Sequence, residues 1–341
     1  MRYLLPVLNT AKRAIDWANV LMYANKYQIQ DAIAIFGTPR SGTTWMMEIL
    51  GTLPRYKTIF EPLHPTRAPQ IAHLKFPPRM YIPPDKDNIV LQKYLRDVFS
   101  GKFLSKIPAY SLKNPEILYK RVTATKVITK FVNGNRLIPW INKRFPLRAS
   151  YLIIRHPCST INSQLKVGWF GYPKEIEIRV RNGDTNLLKK VVLKEALLIP
   201  EIREQKKIID KISSFNTMLE LLAVEYSLDY LIPMKHIALL RNIYVFTYEE
   251  IIKNPETTIF EIFKKIGEYP PEESLKIVRK PSITSKERKI NTERQLKKWK
   301  YELSIEQVKR ILKVVHWFGL DFYTEDLEPD YDALKNWKPP F

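Results

Sequence analysis

The sequence predicts an α/β fold in three layers, with a central parallel sheet flanked by helices. Three observations carry this expectation. Four short segments rich in β-branched and aromatic residues, at 33–36, 126–131, 149–154 and 243–247, are separated by stretches of helical period. The first runs into the turn Gly37-Thr-Pro-Arg-Ser-Gly42 and then into a helix opened by small hydroxyl residues, Thr43 and Thr44. The third runs through Arg155 and His156 into Pro157, a residue suited to the first helical position. Strands joined through helices pair in parallel.

Taken in order, residues 1–30 read as an N-terminal helical extension, with Leu8, Ala11, Ile15, Ala18 and Met22 on one face. That face is expected to pack on the domain. The rival reading is an interfacial membrane helix with Lys12 and Arg13 at its edge. Residues 31–325 form the main domain and 326–341 a C-terminal tail. Asn254-Pro255 opens a helix carrying Ile259, Ile262, Phe263 and Ile266 at helical spacing, and Gly267 ends it. Ser304 and Gln307 form a capping box for a last helix that runs to about Gly319. Two stretches depart from the regular pattern. Residues 61–84 hold Pro62, Pro65, Pro69, Pro77, Pro78, Pro83 and Pro84, which remove N–H donors and oppose regular elements. Residues 168–206 run from Gly-Trp-Phe-Gly-Tyr into mixed charge. Both are expected to cover the C-terminal edge of the sheet, where open α/β sheets bind ligands.

The turn after the first strand almost fits the nucleotide-binding P-loop, G-x-x-x-x-G-K-[ST]. Gly37 and Gly42 have the spacing, but Thr43 stands where the Lys belongs, and the cation lies inside the loop as Arg40. Backbone N–H groups at such a strand–turn–helix junction converge on an anion. Without the Lys that holds the β- and γ-phosphates, ATP or GTP is disfavoured as substrate. The third strand supplies a second anion site. Arg155 ends it and Ser163 follows eight positions later in the next helix. A guanidinium fork and a hydroxyl suit a phosphate dianion.

The run Pro39-Arg-Ser-Gly-Thr-Thr44, with Arg155 and Ser163, resembles the sulfotransferases that use 3′-phosphoadenosine 5′-phosphosulfate (PAPS). Arg40 in place of the cytosolic members' Lys makes it similar to the tyrosylprotein and microbial or carbohydrate branches. The resemblance implies a P-loop-like fold and PAPS as co-substrate, with no metal. Arg40, Ser41, Gly42, Thr43 and Thr44 would then hold the 5′-phosphosulfate, and Trp45 would stack on adenine. Arg155 and Ser163 would hold the 3′-phosphate. Tyr248 matches the Tyr-Glu that ends a late strand in the family. The basic stretch from Ser285 to Trp299 is similar to the family's loop over the 3′-phosphate, with Lys286, Arg288 and Lys289 as candidate contacts.

The catalytic base departs from the cytosolic pattern. Lys130 matches the lysine of a Lys-x-His strand end, but Val132 occupies the His position. The branch with Arg in its loop uses a Glu, and Glu61 lies 21 positions after Arg40, at a similar spacing. A partly desolvated carboxylate there takes a proton at neutral pH. Pairing of Glu61 with a neighbouring cation is the plainer alternative, and His64 is the second candidate base. Arg40 and Lys130 would stabilise charge on the leaving nucleotide. His73 and His156 read as surface or supporting groups.

Composition bounds the rest. The chain has 341 residues, a formal net charge of +21 and 45% apolar residues, ordinary for a large globular domain. The charge suits a polyanionic nucleotide. The basic residues are scattered and match no helix-turn-helix, zinc-finger or RNP pattern, so nucleic acid is not an expected partner. The single cysteine, Cys158, excludes an intrachain disulfide framework and suits a reducing compartment. It reads as a small buried residue. No apolar run reaches the roughly 18 residues of a spanning helix, and no signal-peptide layout appears. A cytoplasmic location is expected, with peripheral membrane contact as the alternative. The expected activity is sulfuryl transfer to a hydroxyl or amine of a glycan, lipid or small molecule. A P-loop kinase of a small metabolite and a non-catalytic nucleotide- or polyanion-binding protein are the competing functions.

Overall fold

The computed structural model describes residues 4–74, 76–103, 115–280 and 292–340. Among these residues five strands form one parallel sheet: β1 (Ile33–Phe36), β2 (Tyr56–Phe60), β3 (Lys126–Phe131), β4 (Ala149–Ile154) and β5 (Ile243–Thr247). Their spatial order is β2-β3-β1-β4-β5. Ile33 pairs with Ile128 on one side and Ala149 on the other, so β1 is central. The chain leaves the central strand and builds outward in both directions. This reversal opens a crevice beyond the carboxyl ends of β1, β3 and β4.

Alternation along β1 divides the core. Ile33 and Ile35 face a cluster with Met46, Met47, Leu50, Ile259, Ile262 and Phe263. Ala34 and Phe36 face a larger cluster with Leu91, Leu95, Trp140, Leu228, Leu231 and Ile311. The first cluster is closed by the helices Thr43–Leu50 and Pro255–Lys264. The second is closed by Ile89–Phe99, Ile138–Arg144, Met218–His236 and Ile305–Trp317. Helices therefore cover both faces of the sheet, giving the three layers expected.

Four strands and both capped helices lie where the sequence places them. Pro255 sits at the start of its helix, and Gly267 lies just beyond the end with φ 66°. Both halves of the Ser304–Gln307 capping box are present. Strand β2 is an addition. Lys57 and Thr58 interrupt its apolar pattern, and it occupies an edge of the sheet. The segment 168–206 is largely helical, through Lys174–Arg181, Thr185–Ala196 and Pro200–Arg203. Asp184 caps the second of these by accepting from the Leu187 N–H.

The N-terminal helix α1 (Leu4–Tyr23) ends before residue 30, and two 3₁₀ turns follow it. Over the described side chains of its second half, the docking face differs from the one expected: Asp16 and Asn19 are buried, Ile15 and Ala18 are partly buried, and Trp17, Leu21 and Met22 are 52%, 77% and 53% exposed. Asp16 forms a two-pronged ion pair with Arg121, at 2.7 and 2.9 Å. Asn19 donates to the carbonyls of Val122 and Ala124 and accepts from Tyr27 and Lys57. Burial pushes the Lys57 ammonium down to about 7. Hydrogen bonding rather than apolar burial thus fixes the second half of α1. Among the described residues no helix is long and apolar enough to cross a membrane.

Candidate functional site

The turn after β1 is shaped by backbone conformation. Arg40 has φ 74° and Gly42 φ 103°, both left-handed. Gly42 immediately precedes the helix α2 (Thr43–Leu50). A Cβ on Gly42 would stand 2.6 Å from the Tyr248 ring, and one on Gly37 would stand 2.4 Å from Ser41 Oγ. Only glycine allows this compact path, which brings the N–H groups that open α2 toward one point. Ser41, Thr43 and Thr44 are all buried against it.

The two anion motifs meet here. Arg155, at the end of β4, donates from Nη1 to the Arg40 carbonyl at 3.1 Å, and its guanidinium lies 4.1 Å over the Tyr248 ring. Arg40 Nε donates to Ser163 Oγ at 3.1 Å. Ser163 lies in the helix Pro157–Val167, with Pro157 in its first turn. Among the described residues, neither Arg40 nor Arg155 has a carboxylate within ion-pair distance. Burial, and then the Arg155 charge, hold Arg40 below the usual guanidinium range. Arg155 Nε is buried without a hydrogen-bond partner. The buried Glu249 carboxylate feels the Arg155 charge, but among the described residues neither guanidinium is in direct ion contact, and two adjacent guanidinium groups make an electropositive well.

Glu61 and Lys130 adjoin the same loop. Glu61 follows β2, with φ 53°, and its N–H donates to the Lys130 carbonyl at 3.0 Å. Its Oε1 pairs with Lys130 Nζ, and its Oε2 accepts from the Val132 N–H at 3.0 Å. Lys130 Nζ also donates to Thr44 Oγ1 at 3.1 Å and lies 4.1 Å over the Phe60 ring. Burial pulls the Lys130 ammonium down, and the Glu61 carboxylate opposes that shift. A chain of contacts therefore runs from the first turn of α2 through Lys130 to Glu61. Each carboxylate oxygen has a second lone pair, so acceptor capacity remains.

The other expected residues take varied places. Trp45 is 4% exposed, tilted against Tyr248 at 5.8 Å, with its Nε1–H 3.5 Å from the Ile277 carbonyl. Tyr248 follows β5 and donates to Gln295 Oε1 at 3.1 Å. His64 is buried one turn after Glu61. Lys286, Arg288 and Lys289 lie outside the described residues. His156 is not a surface group. It is buried, accepts from the Cys158 N–H at Nδ1, lies 3.0 Å from the Thr324 carbonyl at Nε2, and stacks on Trp299 at 4.3 Å. Burial pushes it down to about 3. Cys158 is buried and free.

A buried ionic cluster beside the site has no counterpart in the sequence reading. Arg136 reaches Glu195, Glu225 and Asp229 at 3.2, 3.2 and 2.9 Å. Arg79, from the Pro-rich segment, reaches Glu225 and Asp229 at 2.9 and 3.3 Å and donates to the Phe170 carbonyl. Burial, and then the Glu225 charge, push the Glu195 carboxyl well up. The cluster ties both expected cover segments to the helix Met218–His236. Its signal was Glu225 and Asp229, four residues apart in the mainly apolar middle of the helix Met218–His236, a pairing that calls for buried cations. Among the described residues, no group of three or more His, Cys, Asp or Glu is placed to hold a metal ion.

No family model matches the chain, and no curated protein matches it. Among solved structures, the chain is similar to the sulfotransferase domain of the olefin synthase of Synechococcus PCC 7002. That likeness has 12% identity over 88% of this chain and 99% of the other, with a TM-score of 0.45. The sulfotransferase domain of the curacin biosynthetic pathway gives 14% over 84% and 96%, with 0.43. A mouse sulfotransferase, SULT7A1, complexed with PAP gives 10% over 97% and 94%, with 0.40.

Proposed function

We propose that this chain transfers the sulfuryl group of PAPS to a hydroxyl or amine of a glycan, lipid or small molecule. The observation that carries the reading is the convergence of Arg40, Arg155 and Ser163 on one glycine turn, with neither guanidinium in an ion pair among the described residues. The 5′-phosphosulfate would lie on the turn at Arg40, Ser41, Gly42, Thr43 and Thr44. The 3′-phosphate would displace Ser163 from Arg40 and take Arg155 and Ser163 as donors. Trp45 and Tyr248 would border the adenine.

In the reaction the acceptor oxygen attacks sulfur while Glu61 takes its proton. The bond between sulfur and the 5′-phosphate oxygen breaks, and 3′-phosphoadenosine 5′-phosphate (PAP) leaves with the electron pair. Proton capture neutralises Glu61 and frees the Lys130 charge for that oxygen. Arg40 supports the same charge. Two cations suffice without a metal, since sulfate needs less neutralisation than a phosphoryl group. Residues 31–325 would form the catalytic unit, with 1–30 as its extension and 326–341 as a tail. The exposed Trp17, Leu21 and Met22 of α1, on a chain of net charge +21, would rest on an anionic membrane surface from the cytoplasmic side.

Calorimetry of PAP against adenosine 5′-phosphosulfate tests the donor assignment. Tighter binding of the 3′-phosphorylated nucleotide is expected. Equal affinity would remove the role of Arg155 and Ser163, and a Mg²⁺-dependent preference for ATP would favour the kinase.

A further inference from the structure

His64 is the second candidate base, and its hydrogen bonds give it a different part. The ring is 3% exposed. Its Nδ1 lies 3.3 Å from the Thr66 N–H, which donates to it. A neutral imidazole whose Nδ1 accepts must carry its proton on Nε2. That Nε2–H is buried and has no hydrogen-bond partner. Burial disfavours the imidazolium and the Glu61 charge opposes this, while Arg67, Lys130 and Arg79 reinforce it. The ring is thus a neutral donor with nothing to donate to.

An unmatched buried donor is costly, and one that stands beside a candidate active centre has a natural acceptor in a bound ligand. The position of this one limits what the ligand is. The His64 N–H donates to the Glu61 carbonyl at 3.1 Å, so both side chains leave the same turn. The His64 ring stacks on Trp169 at 6.1 Å, from the second cover segment, and the Glu61, Lys130 and Arg79 charges all act on it. A group that reaches Nε2 therefore lies between the two covers and next to Glu61.

We propose that the His64 Nε2–H binds a lone-pair oxygen of the acceptor substrate, beside the oxygen whose proton Glu61 removes. His64 is then a positioning residue and not a base. The acceptor class is one with at least two nearby oxygens, such as a polyol or a sugar, rather than a simple amine or monohydric alcohol. This rests on the sulfotransferase reading. The acceptor cannot be protonated by His64 or lose a proton to it in this tautomer, so the transfer step balances through Glu61 alone.

The test compares wild type, His64→Gln and His64→Phe. The Gln amide N–H reaches the position of Nε2, whereas Phe keeps the ring shape against Trp169 and has no donor. Labelled PAPS with an extract of the source cells is the probe, and transferred label, PAP affinity and melting temperature are the readouts. His64→Phe is expected to lose at least tenfold in transfer, with PAP affinity within threefold and a melting temperature equal to or above wild type. His64→Gln is expected to recover most of that loss. Nitrogen NMR of histidine-labelled protein, assigned by the Gln variant, is expected to show the proton on Nε2. Wild-type-like transfer by His64→Phe, a fall in its melting temperature that matches its loss of transfer, or a proton on Nδ1 overturns the donor role. Absence of label transfer by wild type removes the sulfotransferase reading itself, and the donor role with it.

Discussion

Replacing Arg155 by alanine separates binding from folding with opposite demands on one side chain. In the folded protein the Arg155 side chain donates to the Arg40 carbonyl, lies over the Tyr248 ring and attracts the buried Glu249 carboxylate. The first two are each worth about 1 kcal/mol. Against them stands repulsion from Arg40. That repulsion helps to hold Arg40 below the usual guanidinium range. The terms largely offset, so Arg155→Ala should change stability by no more than about 1–2 kcal/mol. Donor binding has no such offset. Loss of a charge-assisted pair to the 3′-phosphate should cost about 2–4 kcal/mol, or about 30- to 1,000-fold in affinity. At PAP equal to a hundred times the wild-type Kd, ligand stabilises wild type by about 2.7 kcal/mol, and a hundredfold weaker variant by about 0.4. With about 2.1 cal/mol/K per residue of unfolding entropy, wild type should melt about 4 °C higher with PAP and the variant less than about 1 °C higher. A thermal melt with and without PAP, backed by calorimetry, reads this directly. An equal PAP shift in both proteins would refute the 3′-phosphate assignment. Collapse of the unliganded variant would show that Arg155 is a structural residue.

Glu61→Gln should lower kcat by about 10²–10⁴-fold with PAP affinity nearly unchanged, the usual worth of a positioned base; it should also lower stability in urea, because Lys130 is left buried without its counter-charge. Near-wild-type turnover would leave Glu61 as a partner of Lys130 only. His156, held at about 3, resists the proton that an unfolded histidine takes up near 6.5. Its contribution is present above pH 6.5 and is lost as pH falls toward 3, at up to about 1.4 kcal/mol per unit. Urea melts from pH 7 to pH 4.5 should show a shallower decline for His156→Asn than for wild type, and parallel curves would deny the effect. Sedimentation with phosphatidylserine vesicles should bind wild type more than Leu21→Glu, by about 10- to 100-fold, given about 1.5–3 kcal/mol for burying a Leu side chain. Equal sedimentation would leave α1 with no lipid role.

Strands whose neighbours on both faces are apolar could be read from the sequence, because burial leaves an uninterrupted run such as Ile33–Phe36 or Ala149–Ile154. Strand β2 escaped because its Lys57 is buried through partners far along the chain, Asn19 and the Gly101 carbonyl. The same cause hid the docking of α1. Asp16 and Asn19 find Arg121, Val122 and Ala124 more than a hundred residues away, and helical period cannot report polar burial. The helices of 168–206 were masked by mixed charge, although Gly183-Asp184 carried a readable cap. Within the site, the glycine turn and the Arg155–Ser163 spacing are local signals and were legible. The Lys130–Glu61 pair, the ionic cluster of Arg79 and Arg136, and the tautomer of His64 depend on contacts between segments, which spacing alone does not encode.

Sulfuryl transfer itself is tested most directly by incubating the protein with sulfur-labelled PAPS and an extract of its source cells in the presence of EDTA. Stoichiometric release of PAP is expected, with label in a product that is absent when Arg40→Ala replaces wild type. No transfer from PAPS, together with Mg²⁺-dependent transfer of the terminal phosphoryl group of ATP, would contradict sulfuryl transfer.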